Sequence, residues 1–175
     1  MFRTLILCLS ICALAALPAL GADTPMAIAG KAQMSKVHFL IGEWRGHGWM
    51  EGPTGRLEFP QSKIVTGHME NQVLAIEGDS MTEGNVFYRH TLVMVSYDGK
   101  EGYRIHGYGG SNGIADGAAT VKDGTFEWGF AIGKIKLRYR IHVNDKQQWV
   151  EVGDRSMDDG ATWHTFTELL LDKAK

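Results

Sequence analysis

From Glu43 to the end of the chain, hydrophobic and polar residues alternate with a period of two, the signature of strands with one buried face. The cleanest run is Lys134 to Val143. Ile135, Leu137, Tyr139, Ile141 and Val143 share one face, and Lys134, Lys136, Arg138, Arg140 and His142 share the other. Thr125 to Ala131 alternates Phe126, Trp128 and Phe130 against Glu127 and Gly129. In the last run Trp163, Thr165, Thr167, Leu169 and Leu171 oppose His164, Phe166, Glu168 and Leu170. The stretch from Val86 to Tyr97 is apolar on both faces near Leu92–Val95, so its register is not legible from the pattern.

Turn signals separate these runs at intervals of about ten residues. They fall at Gly52–Gly55, Gly67–Asn71, Thr82–Asn85, Asp98–Lys100, Gly109–Gly113, Lys122–Gly124, Ile132–Gly133, Asn144–Lys146 and Asp158–Gly160. Gly109–Gly113 is the loosest loop, and the strand after it is weakened where Asp116 and Gly117 interrupt it. About ten strands in simple succession, without helical crossovers, predict an antiparallel meander. A meander of that length leaves two unpaired edges unless it closes, and an up-and-down barrel removes both. The fold class expected is therefore all-β, an antiparallel up-and-down barrel of about ten strands. A two-sheet sandwich with Greek-key links is the alternative, and the short links count against it.

Ahead of the strands the period is helical. Met34, Val37, Leu40 and Ile41 fall on one face, which predicts two to three turns over Lys31–Leu40, stopped by Gly42. A helix this short needs something to cover, such as one end of the barrel. The first strand opens with Gly42-Glu43-Trp44-Arg45-Gly46-His47-Gly48. Trp44 is placed to plug one end, and Gly46 and Gly48 suggest a bend or a close backbone approach. The expected interior is aromatic: Trp44, Phe126, Trp128, Phe130, Tyr139 and Trp163. Ten strands enclose more width than eight, which favours a ligand cavity over a solid core.

Composition adds bounds. The chain of 175 residues suits one domain, and 22 glycines against 4 prolines suit twisted strands and tight turns. A formal net charge of -2 makes no electrostatic case for nucleic acid or an anionic membrane surface. Residues 1–21 read as a signal peptide. Arg3 supplies a positive start, Leu5–Leu17 an apolar run too short to span a bilayer comfortably, and Ala19-Leu20-Gly21 a cleavage signal ending near Gly21–Ala22. An uncleaved anchor is the alternative. Residues 22–36 then form a flexible leader and the start of the helix, and 37–172 a single barrel domain. Both cysteines, Cys8 and Cys12, lie in the apolar run, so the mature chain has no disulfide, thiolate metal site or cysteine nucleophile. A periplasmic or secreted protein without stable membrane insertion is expected; its oligomeric state is open.

Catalytic motifs are absent: there is no nucleophile elbow, phosphate loop or dinucleotide fingerprint. The seven histidines show no zinc spacing. A hairpin centred on Asp98-Gly99 would bring His90 near His106, and Arg89 near Arg104. Inward, these four residues would give the cavity a polar head-group site or an acid/base pair; outward, they are surface cross-strand pairs. The row of cations from Lys134 to His142 reads as a solvated strand face balanced by neighbours such as Glu151.

The Gly-x-Trp-x-Gly-x-Gly stretch at Gly42–Gly48 resembles the opening motif of nitrobindin-like proteins and related bacterial barrels of the calycin/lipocalin group. Val95-Ser96-Tyr97-Asp98, Trp149-Val150-Glu151 and Asp159-Gly160-Ala161-Thr162-Trp163 are similar to later segments of such families, in the same order. The resemblance implies a ten-stranded barrel with an apolar interior. In nitrobindins it further implies haem, held by a histidine near the C-terminal end. This chain departs there, since Thr165–Leu171 holds no histidine, and no cofactor is expected. The expected function is non-catalytic binding of a small hydrophobic or amphipathic molecule through Trp44, Arg89, His90, Arg104, His106, Trp128, Phe130, Tyr139 and Trp163. A barrel enzyme of isomerase or cyclase type using His90 and His106 is the alternative, and a haem-binding nitrobindin-like protein is a further one.

Overall fold

A computed structural model describes residues 25–81, 88–99, 102–109 and 113–174; the side chains of 25, 26, 81, 88 and 89 fall outside that description. The leader sequence of residues 1–21 and the expected turn at Thr82–Asn85 therefore lie outside the described residues. Ten antiparallel strands close into one barrel in sequence order, with the first strand paired to the last. They are β1 (Gly42–Gly52), β2 (Gly55–His68), β3 (Val73–Met81), β4 (Tyr88–Tyr97), β5 (Tyr103–Gly109), β6 (Gly113–Lys122), β7 (Thr125–Ile132), β8 (Ile135–Val143), β9 (Gln148–Ser156) and β10 (His164–Lys173). The meander and its closure follow from the short links and the need to pair both edges.

The chain enters through helix α1 (Pro25–Met34), which runs into a 3₁₀ turn at Ser35–Leu40. The helix starts earlier than the periodicity suggested, and residues 25–30 are helical rather than a loose leader. Pro25 suits the first helical position, where its missing N–H costs nothing. The segment caps the barrel end at which β1, β3, β5, β7 and β9 begin. Tyr103 Oη donates to the Gln33 carbonyl at 2.7 Å, and His38 Nε2 to the Asn71 carbonyl at 3.3 Å. Met34, Val37 and Leu40 are fully buried against Trp44, Leu74, Val95, Ile105, Phe126 and Trp149. This half of the barrel is filled by side chains.

Along β1, Trp44, Gly46, Gly48 and Met50 face inward. A Cβ at Gly46 would collide with the Leu170 main-chain oxygen, so the glycine lets β10 lie close against β1 at the closing seam. The strand itself is unbroken, so the expected bend is instead a close approach. β6 is also continuous through Asp116 and Gly117, because the ladder to β5 pairs them with His106 and Ile105 and supplies what small side chains lack.

Two registers differ from the alternation read above. In β10 a bulge between Thr165 and Thr167 turns Phe166 inward, where its ring meets Tyr139 at 6.0 Å. Trp163 precedes the strand altogether. In β9 the inward set is Trp149, Glu151, Gly153 and Arg155, so Glu151 is inside the barrel and does not balance the cation row. Asp154 and Asp159 do that work. Arg138 and Arg140 reach Asp154 Oδ2 at 2.9 and 2.8 Å, and Lys136 reaches Asp159 at 2.9 Å. Burial pushes the Asp154 carboxyl up, but hydrogen bonds from Thr165 and Arg138 and the charges of Arg140 and Arg138 outweigh it. The group sits below its ordinary value.

Candidate ligand cavity

The end opposite the cap is open. A cavity of about 580 Å³ enters the barrel there, walled by Thr91, Val93, Gly107, Trp128, Tyr139 and Phe166. Its aromatic wall comes from facing positions on adjacent strands. Trp128 pairs with Tyr139 in the ladder, and their rings stack at 4.5 Å and 16°. Phe130, two residues on, continues the stack at 6.2 Å, while Phe166 meets Tyr139 edge-on. Tyr139 can lie flat because its ladder partner is Gly153; a Cβ there would come within 3.0 Å of the tyrosine ring. The neighbouring strands β5 and β6 contribute small residues: Gly107, Gly109 and Ala115 carry little or no side chain. Small residues on β5 and β6, beside the large flat ones on β7 and β8, are what leaves the space.

The rim is uneven. Tyr108, Ile114 and Ile132 border the cavity on the β5–β7 side and are exposed. On the β1–β9–β10 side the rim is polar. Glu51 Oε2 accepts from Arg155 at 2.9 Å, and Glu51 Oε1 pairs with His164 Nε2. Arg155 also lies 5.8 Å from the ring centroid of Phe166, which lines the cavity. The hydrogen bond from His164, with the charges of His164 and Arg155, holds the Glu51 carboxyl below the usual range.

Of the residues singled out from sequence, Trp128, Phe130 and Tyr139 come together in this cavity. Five others need correction. Trp44 is buried at the capped end, bonded through Nε1 to the Leu40 carbonyl at 2.8 Å and set edge-on to Trp149, away from the cavity. Trp163 lies on the outer wall, with the Arg138 guanidinium 4.2 Å above its ring. His90, Arg104 and His106 also face outward, paired with Asp79 at 2.6 Å, Asp98 at 2.8 Å and Asp116 at 2.5 Å. The inward positions of β4 and β5 belong to apolar and small residues instead. Nor are the two histidines neighbours. Tyr97 pairs with Tyr103, which centres the hairpin beyond Asp98-Gly99 and sets His106 opposite Met94. Arg89 pairs with Ser80 in the ladder; its side chain lies outside the described residues.

The residues missed were Phe166 and Arg155. The bulge that turns Phe166 inward leaves no mark in the alternation. Arg155 could have been found from β9, where Trp149, Glu151, Gly153 and Arg155 share one parity.

The Asp79 hydrogen bond, reinforced by its charge, raises the His90 pKa above its ordinary value. Exchanging Asp79 for Asn returns it towards that value, which an NMR titration of the ring protons reads. The linkage sign follows: the pair's contribution is complete below the unfolded-state pKa and is lost as pH rises through the folded one.

Haem was the cofactor that the family resemblance implied, and the cavity wall does not fit one that needs an axial imidazole. Among the described residues no histidine lines the cavity. His164 stands at the rim, held by Glu51. Nor do the described residues contain a group of three or more His, Asp or Glu able to hold a metal ion.

No family model matches the chain, and no curated protein matches it. Among solved structures it is similar to Rv2717c from M. tuberculosis, with a TM-score of 0.58 and 12% identity, over 88% of this chain and 100% of that one. At that identity the likeness speaks for the fold alone, a closed antiparallel barrel.

Proposed function

We propose that this protein binds a small apolar or amphipathic molecule in the open half of its barrel, and that it does so outside the cytoplasm after losing its leader. The observation that carries the reading is the division of the barrel into two halves. One is filled by a cap and buried side chains; the other keeps an aromatic-walled space of about 580 Å³ whose rim is apolar on the β5–β7 side. An aromatic cavity with few polar groups suits a largely apolar guest. The ordered motifs shared with nitrobindin-like barrels support kinship with that group, without the haem. The enzyme alternative named His90 and His106, and both rings point away from the cavity.

Native mass spectrometry of protein recovered from its own periplasm tests both parts at once. The expected result is a chain lacking about the first 21 residues with a co-purifying mass of lipid or small-molecule size. A full-length chain with no adduct contradicts both. Filling the cavity is the companion test. Gly107 faces the space with a backbone open to any residue, and a Cβ there makes only ordinary contacts, 3.5 Å to the Ala115 carbonyl and 3.9 Å to Val93. Gly107→Leu is therefore expected to keep the fold and abolish uptake of an apolar fluorophore such as phenylnaphthylamine. Undiminished uptake in the variant would remove the cavity from the account.

A further inference from the structure

We infer that the guest is an anionic amphiphile with a flat aromatic or conjugated body, whose acid group is received by Arg155 at the rim. This deepens the cavity reading and rests on it. Three observations carry it.

The first is shape. The stacked Trp128 and Tyr139 rings present a continuous flat wall, lengthened by Phe130, and the glycines and alanine of the neighbouring β5 and β6 leave the space in front of it open. Flat guests gain stacking on such a wall that flexible chains do not.

The second is position. Arg155 is on the inward parity of β9, beside Leu137 in the ladder, and next to the Phe166 ring. Leu137 and Phe166 both line the cavity. A body lying along the aromatic wall would thus meet a guanidinium where it leaves the barrel. On the far rim Asp116 is paired with His106 and offers an acid nothing. A guanidinium binds carboxylates, sulfonates and phosphates with two parallel hydrogen bonds, which favours it as the receiving group.

The third is how Arg155 is held. Its partner Glu51 has a second partner, His164, on its other oxygen. An arriving acid can take Arg155 while Glu51 keeps a hydrogen bond to His164. Arg155 and Glu51 are also partly open to water, with side chains 39% and 36% exposed, so the exchange needs no buried charge to be stranded. Glu51 then acts as a resident competitor for the arginine.

Two fluorophores with a common body separate the head group from the cavity. Anilinonaphthalene sulfonate carries an acid, and phenylnaphthylamine does not. Titrated into the purified protein, Arg155→Met is expected to weaken the sulfonate about tenfold or more, the effect of losing a charge-assisted hydrogen bond, and to leave phenylnaphthylamine within about twofold. Glu51→Gln is expected to tighten the sulfonate, because the competitor has lost its charge. A merely structural clasp would weaken both probes in both variants, and that outcome overturns the inference. So does an Arg155→Met protein that binds both probes as well as the parent. Gly107→Leu reports separately on the cavity. If it loses both probes while Arg155→Met discriminates neither, the cavity stands and the head-group site falls. If it binds both as the parent does, the underlying reading fails as well.

Discussion

Replacing Glu151 with alanine is expected to destabilise the barrel by about 3–5 kcal/mol, the range for breaking one partner out of a buried ion pair. Glu151 is 7% exposed, and its Oε2 accepts from Lys63 Nζ at 3.0 Å and from Trp149 Nε1 at 3.0 Å. Lys63, with a side chain 12% exposed, also lies 5.2 Å from the Trp149 ring centroid. The pair spans the inside of the barrel from β2 to β9, beneath β1 and β10. Alanine at 151 would leave a shielded ammonium and a fully buried indole N–H without their acceptor. Two companions decide whether charge or packing is responsible. Glu151→Gln keeps an oxygen for Trp149 and loses only the charge, so it should cost less than alanine. Joining Glu151→Leu to Lys63→Met removes both charges and should recover part of the loss, because the desolvation cost goes with them. About 1–3 kcal/mol remains for the orphaned Trp149 N–H. Urea unfolding followed by tryptophan fluorescence reads all three. If the double variant is as unstable as the alanine variant, charge is not what the site contributes.

This pair was invisible to a reading by alternation, and the reason is physical. A period of two assigns lysine and glutamate to the wet face, and the rule holds for most strands because an isolated buried charge is too costly. Lys63 and Glu151 escape it by meeting each other, a contact between residues 88 positions apart that no local pattern encodes. What was legible was of the opposite kind. The number and order of strands follow from turn residues, and the inward face of β7 and β8 from strict alternation. The aromatic wall of Trp128, Phe130 and Tyr139 was therefore readable, since each lies on a regular strand. Trp163 and Phe166 were misread because a bulge and the late start of β10 shift parity locally. His90 and His106 were misread because the hairpin register depends on where the turn is centred. An offset there moves residues out of opposition even when both strands are correctly placed.

The two halves of the barrel have different jobs, and the division has a thermodynamic logic. A cavity forgoes apolar contacts that a filled core would make. Here the capped half makes up for them, with Trp44, Trp149, Phe126, Met34 and Leu40 among the largest fully buried side chains. Stability can thus be concentrated at one end while the other stays open.

Trp44→Ala tests that division and is expected to cost about 3–5 kcal/mol, as truncation of a buried large aromatic does. Trp44 is 1% exposed, meets the edge of Trp149 at 5.6 Å, and lies under Lys173 Nζ at 5.2 Å. Its Nε1 also holds the Leu40 carbonyl at the end of the 3₁₀ turn, so the truncation loosens the cap as well as emptying the core. Trp44→Phe keeps most of the ring and loses that bond, for which about 0.5–1.5 kcal/mol is expected. Hydrogen exchange should show the effect as polarised. Amides of α1 and the start of β1 lose protection first, while those of β7 and β8 around Trp128 and Tyr139 keep theirs at temperatures where the barrel remains folded. Phenylnaphthylamine uptake should persist under the same conditions, since none of its proposed contacts involves the cap. Uniform loss of protection through all ten strands would mean that the cap and the cavity form one cooperative unit. The open half would then depend on the filled half for its shape as well as for its stability.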